Sequence, residues 1–483
     1  MKKLYISLIG LLTLQLTHAQ NVVDLVRYSN LQLQGSARFE SMGGSFGALG
    51  ADMSTSMINP AGYGRFSSSQ FQLGANFYNT QNTANFQGIN TETSRNSVRP
   101  ASAGIVFVND KSTQNKGFLY SQFGFSYNRV DNLTNTMAYK GKLYNSLLDG
   151  FASDGNGLEP NQLSPFSSAL AYETYAIDPN GSGGYVPRLT IYDTMYHKRT
   201  VETKGGVSEY TFSYSTNYLN KLYFGINWGI RTARYTENYT HREQLENATL
   251  SLDSISYSYN LETKGSGNNF KIGVIYLPDE ALRLGLSLHT PTYYNLTDNW
   301  SATMSSFHGD TTYAIESGQG PTANYKYRLR TPAKVVGSIA YVFGTRGCIN
   351  VDMEYINYSG ANLKSTKDAS FTPADYRLQN DEAADLLRSV VNVRVGGEMV
   401  FQSQYFLRGG FAYYPQPYKE AAANGTKATT VYSLGGGIKF GRNTLDLAYK
   451  IQNKDFNYYA FAESLTRIKT VTQGIVVSYS LSF

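Results

Sequence analysis

Cysteine is nearly absent: Cys348 is the single one in 483 residues, so no intrachain disulfide can form. A chain of this length without disulfides needs another source of rigidity, and a closed hydrogen-bonded sheet is one. Charge is also scarce. Charged residues make up 16% of the chain, against roughly 25% in ordinary soluble domains. The 42 basic and 36 acidic residues leave a formal net charge of +6. Because the basic residues are scattered rather than blocked, a nucleic-acid partner is excluded. Long apolar runs are missing after the first residues, and the mean hydropathy of −0.35 excludes a bundle of transmembrane helices, each needing about 20 apolar residues. Histidine is sparse, and His197, His241, His289 and His308 show no metal-pair spacing, so no metal and no cofactor are expected. They read as solvated, loop-associated residues, with His289 alone on a strand.

The one apolar run is at the start. Lys2 and Lys3 precede the apolar stretch Leu4 to Leu16, and Thr17-His18-Ala19 supplies small residues. This reads as a secretory signal over 1–19, cut after Ala19. With no Cys after the cut, a lipoprotein anchor is not expected.

What is abundant is tyrosine, at 40 residues, and glycine, at 45. Tyrosine suits strands and membrane interfaces, where one end of the ring is dry and the other wet. From Gln70 onward apolar and polar residues alternate with period two. Phe71, Leu73, Ala75 and Phe77 share one face. So do Leu222, Phe224, Ile226, Trp228 and Ile230, then Leu282, Leu284, Leu286 and Leu288, then Ile349, Val351, Met353 and Tyr355, and then Leu445, Leu447, Tyr449 and Ile451. The final strand, Ile475, Val477, Tyr479, Leu481 and Phe483, ends in an aromatic, a signal for the barrel-assembly machinery. Such alternation buries one side of each strand.

A soluble sandwich would alternate too, but the connections discriminate. Long ones are expected at about 80–98, 128–208, 241–250, 296–324, 359–389, 416–428 and 454–469. Between them lie tight turns such as Asn220-Lys221, Thr345-Arg346-Gly347 and Gly441-Arg442-Asn443. Long-short alternation is the pattern of a membrane barrel with short periplasmic turns and long outer loops. The sequence therefore predicts an all-β, antiparallel transmembrane barrel of about 14 strands over 67–483, in the outer membrane of a Gram-negative bacterium among its lipids and lipopolysaccharide. Its lumen would hold Arg231, Arg283, Arg394, Arg408, Lys439 and Lys450 beside Asp352, Glu354, Glu398 and Asp446, expected to pair structurally rather than to form a selectivity ring. A barrel of that size leaves interior space. The Gly-rich stretch Gly35 to Phe66, which has neither helical nor strand period, is the candidate stopper, giving an N-terminal hatch over 20–66.

Several stretches resemble a known family. Gly35-Ser36-Ala37-Arg38, Met42-Gly43-Gly44 and Asn59-Pro60-Ala61-Gly62 are similar to the hatch of the FadL/TodX outer-membrane transporters of long-chain fatty acids and aromatic hydrocarbons. Leu282 to Ser287, Thr331-Pro332-Ala333, Arg394 to Glu398 and Leu407 to Phe411 fit its middle and later strands. The resemblance implies a monomeric barrel of fourteen strands and passive uptake of a hydrophobic small molecule in three steps. A groove among the outer loops captures the ligand, an internal pocket receives it, and it leaves sideways where the third strand kinks. That strand is expected at Gly117 to Tyr127 with the kink at Gly124; an ordinary strand glycine packed on the hatch is the alternative. The long loop 128–208 departs from the family. Within it Leu143, Tyr144, Leu147, Leu148 and Phe151 have helical spacing, as do Leu163, Phe166 and Leu170. Leu147, Leu148, Phe151, Phe166 and Leu170 are accordingly candidates for a capture groove, unless the helices only pack on each other.

Two other functions stay open: a passive binder of haem (hemin) or another bulky nutrient on this fold, and an outer-membrane lipid hydrolase. The hydrolase would need Ser and His converging on one barrel face. Gly43-Gly44-Ser45-Phe46-Gly47 matches G-x-S-x-G, but lacks the strand and helix that a nucleophile elbow needs, and no enzyme is expected from it.

Overall fold

The computed structural model describes residues 22–30, 32–110, 117–189, 194–246, 252–366, 376–419, 427–461 and 464–483. The expected signal segment and its cleavage point lie outside them. Among the described residues, fourteen antiparallel strands close on themselves. They are β1 (Gln70–Phe86), β2 (Ile89–Asp110), β3 (Phe118–Asn132, continuing as Asn135–Leu143), β4 (Met195–Tyr218), β5 (Leu222–Leu245) and β6 (Ser254–Tyr276). Then come β7 (Leu282–His289 and Tyr293–His308), β8 (Thr322–Arg330 and Lys334–Val342), β9 (Gly347–Asn357 and Asn362–Ser365) and β10 (Ser389–Phe401). The last four are β11 (Tyr405–Tyr414), β12 (Thr429–Phe440), β13 (Asn443–Tyr459) and β14 (Leu465–Ser482). β14 returns to β1 in one unbroken register from Gln70↔Ser482 to Phe86↔Thr466. Closure pairs the first strand with the last, so the barrel has no terminal edge of the kind a strand in hydrocarbon cannot leave unpaired. β7 and β8 are interrupted at Pro291 and Pro332, which have no amide to give to a ladder.

The outer faces are as the alternation requires. Phe224, Ile226, Trp228, Leu284, Leu286, Leu288, Ile349, Met353, Leu445, Leu447, Ile475 and Val477 are all exposed, forming an apolar belt. The lumen-facing residues between them are buried. At the short-turn end Leu219-Asn220 and Gln402-Ser403 turn with positive φ.

The long connections need correction. β4, β5 and β6 run for 24, 24 and 23 residues, whereas about 9–11 suffice to cross a bilayer. The span 80–98 is a hairpin turning at Gln87-Gly88, and 296–324 is mostly strand with a short hairpin arm at Thr311–Ile315. The loop expected at 128–208 is strand at both ends, and its connecting part is 144–194. Above the membrane neither face meets lipid, so the two-residue pattern fades while the hydrogen-bond ladder continues.

Inside the barrel sits the chain's N-terminal part: α1 (Val22–Ser29), α2 (Ala37–Ser41) and two 3₁₀ turns at Met53–Met57 and Pro60–Arg65. Each of the last three starts on a side-chain cap, from Ser36, Asp52 and Asn59 respectively. Over the opposite, outer mouth lie α3 (Leu147–Gly155), with a Ser146/Asp149 capping box, and α4 (Ser168–Glu173). A fifth helix, α5 (Arg377–Leu386), stands beside β9.

Candidate functional site: a hatched lumen beside a parted wall

The hatch is docked onto glycines of the wall. A Cβ on Gly225 would overlap the backbone of Pro60 and Ala61, and one on Gly273 would overlap Asn59 Oδ1 and stand 3.0 Å from Pro60 Cδ. Gly124, Gly285, Gly396, Gly410 and Gly435 are likewise filled by Tyr63, Gly47, Met42, Gly43 and Ser41. Removing side chains from the wall lets the plug backbone approach closely. This accounts for these seven glycines among the chain's 45, and only the folded barrel reveals it.

The Asn59-Pro60-Ala61-Gly62 motif is the centre of that docking. Asn59 Oδ1 accepts the Ala61 amide at 3.1 Å, capping the turn. Its Nδ2 donates to Gly47 O at 2.8 Å and to Val274 O of β6 at 3.1 Å. Pro60 sits at the first turn position, where its missing amide costs nothing, and its carbonyl accepts Ser215 Oγ at 2.7 Å.

Lumen charges complete the anchoring. Asp352 accepts the Phe46 and Gly47 amides at 3.0 and 3.1 Å. Arg38 meets Glu398 at 3.2 Å, and Lys450 pairs with Glu40 of α2. Arg408 lies between Glu398 and Asp446, at 2.6 Å from each. Arg394 faces Asp352 and Glu354, and Arg231 faces Glu209. These are bracing pairs rather than a ring. Two members of the expected set differ: Lys439 is exposed, and Arg283 reaches Leu49 O at 3.4 Å. Ser45 donates to Asn350 O at 3.0 Å and holds the plug to β9, which accounts for the G-x-S-x-G match. His289 bonds Ile58 O at 2.8 Å and Ser287 Oγ at 3.1 Å, while the Ser287 hydroxyl donates to Ile272 O. That serine and histidine brace the hatch from a buried position.

Above the hatch an apolar cluster lies among buried charges, Asp24, Asp298, Glu209 and Arg231. Val22, Leu25 and Tyr28 of α1 pack with Val130, Val207, Ala233, Tyr294, Leu296, Tyr327 and Leu329 of the wall. Tyr28 and Tyr294 have ring centroids 5.9 Å apart, and Arg27 lies 4.0 Å over the Tyr235 ring. The N-terminal helix thus fills the chamber.

One side of that chamber is a break in the wall. β2 pairs with β3 only from Ser102↔Asn128 down to Asp110↔Tyr120. Among the described residues, Ile89 to Ala101 has no ladder partner on that side, and Pro100 stands where the ladder stops. β3 slips register against β4 between Arg129 and Asp131. It then bends where Gly205 and Gly206 of β4 take φ of +122° and +154°, and continues along β4 from Asn135↔Thr203. Bonds from side-chain donors bridge the gap: Asn132 Nδ2 to Ser97 Oγ at 3.3 Å, and Thr93 Oγ1 to the Thr136 carbonyl at 2.6 Å. The bend therefore lies above Gly124, through which the ladders to β2 and β4 run without a shift. Gly124 instead receives the Tyr63 ring. Within β3 the bend is marked by Asn132, whose Oδ1 accepts the Thr134 amide at 3.2 Å, and the two glycines facing it are about 75 positions away on β4.

The candidate groove residues also separate from the expectation. Leu147, Leu148, Phe151 and Leu170 are buried, with Phe166 packed against them, in a cluster that includes Phe86, Tyr139, Ile255, Tyr257, Met304 and Phe461. Phe151 meets Tyr257 edge-on at 5.3 Å. These residues form the core of a cap rather than an open groove, because α3 and α4 cover the raised strand ends. The strand ends also bury His197 and His241, which are not solvated loop residues. Burial pushes both imidazoles below their usual range despite the neighbouring Glu243. His308 is likewise the end of a strand.

No family model and no curated protein matches the sequence. Solved structures do match the fold. A Pseudomonas aeruginosa FadL homologue superposes with a TM-score of 0.57 at 14% identity, covering 93% of this chain and 98% of that one. The P. putida toluene transporter TodX gives 0.53 at 15% identity, covering 93% and 99%. The CymD monoaromatic hydrocarbon channel gives 0.52 at 14% identity, covering 94% and 99%. The chain has the barrel fold of these FadL- and TodX-like proteins over nearly its whole length.

Proposed function

We propose that this barrel resides in the outer membrane of a Gram-negative bacterium and admits hydrophobic small molecules, long-chain fatty acids or aromatic hydrocarbons, releasing them sideways through the gap between β2 and β3. The observation that carries the reading is the apolar cluster of the lumen, held by α1, which reaches that gap through Val130. A hydrophobic solute gains on the order of 0.8 kcal/mol per buried CH₂, so a dry chamber holds it where a water-filled pore offers nothing. The hatch closes the periplasmic end. The lateral gap then connects the chamber to lipid, and α1 must yield its place to the ligand. The likeness to a toluene transporter and a monoaromatic hydrocarbon channel supports the same ligand class.

The test staples the gap. In a Ser97→Cys/Asn132→Cys variant the bridging side chains become an oxidisable pair, Cys348 being buried. Expressed in a host lacking its own transporter, the oxidised variant should lose uptake of labelled oleate or toluene and regain it on reduction. Uptake that is equal in both redox states, with the crosslink verified by mass spectrometry, would refute lateral release.

A further inference from the structure

We infer that His197, His241 and Glu243 form a binding site for a divalent transition-metal ion of the zinc type, clamping the cap to the barrel rim. The site is built by cross-strand register. His197 of β4 pairs directly with Glu243 of β5, and His241 precedes Glu243 by two residues, so all three side chains share one face. All are buried, with side-chain exposures of 0%, 0% and 1%. One ligand atom from each lies within 4.8 Å of the others. His241 Nε2 is 2.8 Å and His197 Nδ1 3.5 Å from Glu243 Oε1. Donors around a tetrahedral ion with bonds of about 2.1 Å stand about 3.4 Å apart, so small side-chain adjustments suffice.

The hydrogen bonding points the same way. His197 Nε2 faces Leu143 O at 3.4 Å, which makes it the N–H and leaves Nδ1 as a lone pair. That Nδ1 is buried without a hydrogen-bond partner and faces a carboxylate oxygen. A lone pair and a carboxylate oxygen facing each other in a dry site are satisfied by a proton or a metal cation between them, and His241 Nε2 lies 2.8 Å from the same oxygen. An imidazole whose second nitrogen donates to a backbone carbonyl is the arrangement that orients metal-binding histidines. Glu243 is held in turn: Oε1 accepts the Leu147 amide at 2.7 Å, and Ser146 Oγ donates to Oε2. Those two residues begin α3, so an ion here would tie the helix, the end of β3 and β5 together. The nearby cation, Arg199, is engaged elsewhere, 3.9 Å over the Tyr239 ring and bonded to Ala460 O.

The experiment uses the full chain in detergent, stripped with EDTA and titrated with Co²⁺ and then Zn²⁺. One equivalent of Co²⁺ should give a visible d–d band that Zn²⁺ abolishes, and Zn²⁺ should protect segment 144–194 from protease. His197→Ala and Glu243→Gln should lose both effects while keeping the heat-modifiable migration of a folded barrel, and His308→Ala should keep both. Failure of the wild type to take up either ion would overturn the proposal, as would a band that persists in both ligand variants. A cap protected equally with and without Zn²⁺ would overturn the clamping role.

Discussion

Gly273→Ala should release the hatch while leaving the barrel standing. The added methyl would occupy the space of Asn59 Oδ1, so Asn59 must leave three hydrogen bonds: its cap on Ala61 and its donations to Gly47 O and Val274 O. Losing a helix cap costs about 1 kcal/mol, and each of the other two bonds about 1 kcal/mol. The hatch docking should weaken by about 3 kcal/mol in all, or roughly a hundredfold at 1.4 kcal/mol per tenfold. The ladder is unaffected, since Gly273 pairs with Gly225 and Ser287 through its backbone. Hydrogen exchange followed by mass spectrometry reads the effect: amides of 42–62 should lose about two decades of protection, and those of β5 and β6 should keep theirs. Gly337→Ala is the matched control, because a Cβ there meets nothing within 4 Å. If hatch protection in Gly273→Ala equals that of the control, the side-chain-free dock is not what holds the plug.

Other perturbations probe separate parts of the molecule. Arg408→Ala strands Asp446 as a buried carboxylate while Glu398 keeps Arg38, and should cost about 3–5 kcal/mol, seen as a lower temperature for loss of heat-modifiable migration. Phe151→Ala should destabilise the cap by about 3–5 kcal/mol, giving protease cleavage within 144–194 while the barrel core resists. In EDTA-treated protein the cap should loosen with acid. His197 and His241 are held below the ordinary value near 6.5 by burial, so the folded cap binds fewer protons than the unfolded one. Their contribution is complete above that value and is lost as pH falls through it. Proteolysis of 144–194 at about pH 8 and about pH 5.5 checks the sign.

How much was legible follows the physics of each region. Where lipid meets one face of a strand, as along Phe224, Ile226 and Trp228, alternation is compulsory and shows in the sequence. Where strands rise above the membrane, as at Met195 to Thr203, both faces meet water or cap, and a ladder resembles a loop. The stopper was readable because Gly35 to Phe66 has no period and lies ahead of the first strand. Its docking was not, since Gly225, Gly273 and Gly285 are indistinguishable in sequence from any strand glycine. Of the two readings of Gly124, the glycine packed on the hatch matches its contact with Tyr63, and the glycines beside the bend belong to β4.

The sequence by itself determined the closed sheet, its outward face, its strand number and the plug, because these rest on local periodicity and composition. Only the tertiary structure decided where the wall parts, what fills the chamber, and that His197 meets His241 and Glu243. Those depend on register between strands and on backbone approach across the lumen, quantities that no spacing along one chain encodes.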